Sequence, residues 1–89
     1  MNTKQNEILL ILQEECAEAI QAICKVKRFG MEHNIDNLNQ GIADLLCMIN
    51  LAFEHMILDN NETRVKNRMI QKQERLKQYS SIYHEESLN

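Results

Sequence analysis

The chain has 89 residues, 44% of them hydrophobic, 26% charged and only 4% aromatic, with no Pro, two Gly and a net charge of −3. A chain this short makes one small domain or one subunit of something larger, and alone it buries only about 60–65% of the surface its unfolded form exposes. The balance of apolar and charged residues excludes wholesale disorder, and the scarcity of turn residues excludes a β-sandwich or barrel.

Leu, Ile, Ala, Glu, Gln and Lys dominate, and all but Ile are strong helix formers. The first predicted helix runs from about Thr3, taken as its N-cap, to Val26 or Arg28. Leu9, Leu12, Cys16, Ala19, Ile23 and Val26 recur at steps of three and four, the helical period. Gly30 is a C-terminal stop, and Lys25, Lys27 and Arg28 suit the negative end of the helix dipole. The second predicted helix starts near Asn34 or Asp36 and runs to about Leu58, with an apolar stripe of Leu38, Ile42, Leu45, Ile49, Ala52 and Met56. Asp59, Asn60 and Asn61 then break the pattern.

A third helix is predicted from about Glu62 to Tyr83. Its apolar positions are Val65, Met69, Leu76, Tyr79 and Tyr83, with Lys72 filling the one gap in an alternation of four and three. Such a narrow seam fits against one or two helices rather than into a thick core. The expected organisation is a single domain over residues 1–83 with a frayed tail at 84–89.

Charge is unevenly spread. Residues 1–58 hold four Lys/Arg against eight Asp/Glu, and residues 64–77 hold six Lys/Arg against the single acid Glu74. The basic run reads as a solvated helix face, and the acidic remainder argues against nucleic acid as a partner. Cys16, Cys24 and Cys47 are odd in number, form no Cys-x-x-Cys and sit among apolar residues. They are expected to be buried, reduced thiols of a cytoplasmic protein. No segment is apolar enough to span a membrane, and the N-terminus lacks the pattern of a signal peptide.

Projected at 100° per residue, Glu14, Glu15 and Glu18 crowd one arc of the first helix beside its apolar face. No Lys or Arg interrupts them between Lys4 and Lys25. Like charges at i,i+4 cost an isolated helix roughly 0.2–0.5 kcal/mol, so something cationic is expected to offset them. Asp44 sits on the shoulder of the second helix's stripe, and antiparallel packing would bring it towards Glu15 and Glu18. Such an oxygen-only cluster suits Mg²⁺ or Mn²⁺ rather than zinc.

The segment EECAE at 14–18, followed by GIADLLCMINLA at 41–52, resembles the EExxE…ExxD pattern of the MazG-like, all-α nucleoside triphosphate pyrophosphohydrolases, small phage-type members in particular. The resemblance covers about residues 8–55. It implies Mg²⁺-dependent hydrolysis of a nucleoside triphosphate to the monophosphate and pyrophosphate. It also implies that Glu15, Glu18 and Asp44 are metal ligands, with Glu14 a further ligand or the group that orients the attacking water. One position departs from the pattern: the Glu expected three residues before Asp44 is Gly41. Either water takes the vacant ligand position, or the site has lost affinity for metal.

Lys25, Lys27 and Arg28 are candidates for phosphate contact, and Met48 for contact with a base. His55 lies three turns beyond Asp44, too far to share an ion, and reads as a core-edge histidine. The expected architecture is an all-α helical hairpin plus a third helix, its four-helix core completed in a homodimer or dimer of dimers. The alternative function is a non-catalytic nucleotide-binding or interaction protein on the same scaffold. A DNA-associated factor using the basic third helix comes last.

Overall fold

The computed structural model describes residues 1–59 and 63–84. It contains three α-helices: α1 (Thr3–Phe29), α2 (Ile35–Glu54) and α3 (Thr63–Tyr79). No strand occurs among the described residues. The chain divides into two compact units, Met1–Leu58 and Asp59–Asn89.

The first unit is the hairpin α1–α2. Its N-cap is Asn2, not Thr3: the Asn2 side chain accepts from Gln5 N–H, and the Gln5 side chain accepts from Asn2 N–H, a reciprocal capping box. Gln at the third helical position decides the matter, since Thr3 finds Asn6 where the box needs Glu or Gln. Gly30 ends α1 as expected, with φ of 89°, a conformation that glycine adopts without strain. The cap N–H donates to the Val26 carbonyl at 2.8 Å.

α2 ends at Glu54, short of the predicted Leu58, because the chain turns back on the core. Met56 N–H donates to Phe53 O and Ile57 N–H to Ala52 O, the paired bonds of a Schellman motif. Met56 occupies its left-handed position, with φ of 61°, where glycine is usual. Ile57 and Leu58 continue the apolar pattern in sequence because they close over Ile8, Met48 and Ala52.

The two helices are antiparallel. At one end the Gln5 side chain donates to the His55 carbonyl at 2.8 Å. Ile8, Met48 and Ala52 form the middle of the contact. Towards the other end, a Cβ on Gly41 would meet Ala19 and Ala22 at 3.8 Å. The buried residues Ile8, Ala19 and Ala22 therefore define the packed face of α1. This face is turned about 60° from the one centred on Leu12, Cys16, Ala19 and Ile23. The expectation of buried thiols fails: Cys16, Cys24 and Cys47 are all exposed, Cys16 because the packed face of α1 is turned away from it.

The turn leaves a second apolar surface open. Ile20 is 61% and Leu46 54% exposed, with Ile23 and Ile42 also exposed. On antiparallel helices these positions fall on the same side of the hairpin, and the carboxylates fall on the other.

The second unit holds α3, which buries none of its residues. It ends at Tyr79 instead of Tyr83. Ser80 bonds back to the Leu76 carbonyl through its N–H and its hydroxyl, and His84 Nε2 lies 3.0 Å from the Lys77 carbonyl. Tyr83 leaves the helical seam, and its ring centroid lies 6.0 Å from Lys77 Nζ. Of the tail predicted to fray, residues 85–89 lie outside the described residues. No helix among those described is long and apolar enough to cross a membrane.

Candidate functional site: a carboxylate edge

Glu14, Glu15 and Glu18 come from the middle of α1, and Asp44 from the middle of α2. The rotation that expels Cys16 from the interface draws Glu15 into it. Glu15 is half-buried, and its Oε2 is shut off from solvent with no hydrogen-bond partner. Its carboxyl is pushed above the ordinary carboxylate range. Loss of hydration is the largest cause, followed by the negative charges of Glu18, Asp44 and Glu14. Glu14 and Glu18 from α1 and Asp44 from α2 all bear on Glu15 here, which the sequence alone could offer only as a projection.

The donor chemistry fits a hard divalent cation. The acids offer oxygen only, and Glu15 Oε2 is an acceptor left without a donor. They are not gathered into a coordination shell as they stand: among the described residues no group of three or more His, Cys, Asp or Glu is placed to hold an ion.

The neighbouring candidates divide. Lys25 projects within about 20° of Glu18, two turns further along α1 and on the same edge. Lys27 projects to the opposite side. Arg28 lies over the Phe29 ring, 5.9 Å from its centroid. Met48 is only 8% exposed and packs with Ile8 and Ala52 in the core. His55 caps α2 and gives its carbonyl to Gln5, at the far end of the hairpin from Gly41. Cys47 is exposed on α2, one turn beyond Asp44.

Gly41 lies where α2 crosses Ala19 and Ala22. A Cβ there would make ordinary van der Waals contacts, so the helix packing does not demand glycine. Comparison of the chain with protein-family models, with curated proteins and with solved structures gives no match.

Proposed function

We propose that the chain is a Mg²⁺-dependent nucleoside triphosphate pyrophosphohydrolase, releasing pyrophosphate and leaving the monophosphate. The observation that carries this reading is the Glu15 carboxylate, which is buried at one oxygen, without a donor, and pressed by three like charges. A protein that keeps such a group uncompensated has a use for a cation there.

Glu15, Glu18 and Asp44 would hold the ion, with Mn²⁺ able to replace Mg²⁺. When bound, the cation would offset the triphosphate's charge and stabilise charge developing on the attacking and leaving oxygens. Glu14, on the solvent side of Glu15, would accept a hydrogen bond from the attacking water and aim it. Lys25, on the same edge, would draw the phosphate chain towards the acids; Lys27 and Arg28 contribute only longer-range attraction. The protein's part is positioning and electrostatics, as in other phosphoryl transfers.

The open apolar side of the hairpin supports assembly. Its rim carries Gln13, Asn39 and Asn50, and its one cation, Lys27, lies near the C-terminal end of α1, where its long side chain can reach water past a second copy. Burying the exposed parts of Ile20, Ile23, Ile42 and Leu46 in two copies would give on the order of 10 kcal/mol before association costs. The product is a four-helix core in a homodimer, which can pair again into a dimer of dimers.

A pyrophosphate-release screen over the canonical ribo- and deoxyribonucleoside triphosphates, with Mg²⁺ and with Mn²⁺, tests the activity. Metal-dependent release from at least one substrate is expected. Gly41 favours the second reading, a nucleotide-binding relative without turnover. That reading replaces the first if a triphosphate binds and no pyrophosphate is released.

A further inference from the structure

The second unit carries a surface that this chemistry does not use. Within α3, the positions Val65, Met69, Lys72, Leu76 and Tyr79 follow steps of four, three, four and three. That is a repeat of 3.5 rather than 3.6, the spacing that keeps a seam facing one partner helix along a left-handed coiled coil. The seam is largely open: Met69 is 58% and Tyr79 82% exposed, while Val65 and Leu76 are half-buried.

Heptad positions follow directly. Met69 and Leu76 are a, and Val65, Lys72 and Tyr79 are d. Arg68 and Arg75 are g, while Lys66 and Gln73 are e. The flanks carry cations and no acid. Glu74, the one acid in the helix, lies on the back and is paired with Lys77 at 3.0 Å.

The charges say what does not cover the seam. A parallel second α3 would set Lys72 against Lys72 and offer no acid to either arginine. An antiparallel one would oppose the g-position arginines. A lipid surface needs a broader apolar arc than the roughly 80° occupied here, and duplex DNA would leave the apolar stripe wet. We propose that α3 is a docking element for an acidic amphipathic helix of a partner protein. Its apolar residues meet Met69, Leu76 and Val65, and its flanking Glu or Asp side chains pair with Arg68, Arg75 and Lys72.

The full chain is titrated into a labelled synthetic helix with Leu at a and d and Glu at e and g, and into the same helix with Lys at e and g. Saturable binding of the Glu-flanked helix is expected, at least tenfold tighter than the Lys-flanked one and weakened by salt. The double variant Arg68→Glu/Arg75→Glu keeps α3 helical, since Glu and Arg are similar helix formers. It should reverse the preference. Equal binding of the two peptides, no binding, or an unchanged preference in the double variant would overturn the proposal. So would tighter binding to phosphatidylserine vesicles or to duplex DNA than to the Glu-flanked helix.

Discussion

Glu15 is the residue on which the site turns, and its protonation gives a sign that can be checked. Its folded-state pKa is raised above the ordinary 4.5. The folded protein therefore holds a proton there more tightly than the unfolded chain. Stability contributed by this group is present below about pH 4.5 and falls as pH rises through the folded value. Glu15→Gln removes the charge and keeps the shape. In the absence of divalent cations it should raise the melting temperature at neutral pH and flatten the loss of stability above about pH 4.5, as read by thermal denaturation over a pH series. Met56 offers a second residue-scale test. It holds a left-handed conformation without a glycine, with its side chain 73% exposed. Met56→Gly should stabilise the hairpin by about 0.5–1 kcal/mol in urea denaturation, because strain goes and little packing is lost.

At the scale of the element, Gly41 separates helix stability from site chemistry. Gly41→Ala should add about 0.5–1 kcal/mol, since a Cβ fits at 3.8 Å from its neighbours and a mid-helix glycine is costly. Gly41→Glu should lower stability without metal, by adding a carboxylate one turn from Asp44. It should also tighten Mg²⁺ binding and raise pyrophosphate release at least tenfold, about 1.4 kcal/mol of transition-state stabilisation. If Gly41→Glu folds yet changes neither, α2 does not present this position to the acids. What the sequence revealed of these elements follows from physics. Gly30 was legible as a stop because its conformation has a dedicated residue. The end of α2 was not, because Met56 fills that role and Ile57 and Leu58 stay apolar for a different reason, folding back on the core. The capping box of Asn2 and Gln5 was legible but lay one residue before the Thr3 chosen. The packed face of α1 differs from the predicted one because periodicity weighs large apolar residues, whereas the small Ala19 and Ala22 are buried where α2 crosses. The four acids were legible as a set, and the burial of Glu15 among them was not.

For the whole molecule, the hairpin separates an acidic edge from an open apolar side, and each asks for a different partner. Ile20 and Leu46 lie on the apolar side, away from the carboxylates. The double variant Ile20→Asp/Leu46→Asp should turn a dimer or tetramer in light scattering into a monomer or an unfolded chain; a stably folded wild-type monomer at micromolar concentration would reject the assembly. The acidic edge is the central claim, and thermal unfolding against Mg²⁺ concentration addresses it without requiring turnover. A ligand that binds only the folded state stabilises it in proportion to the logarithm of its concentration once above Kd. The melting temperature of the wild-type chain should climb with Mg²⁺ in the millimolar range, further when a triphosphate is added, and that of Asp44→Asn should stay nearly flat. A wild-type melting temperature indifferent to Mg²⁺, or an equal rise in Asp44→Asn, would contradict a cation site at this edge.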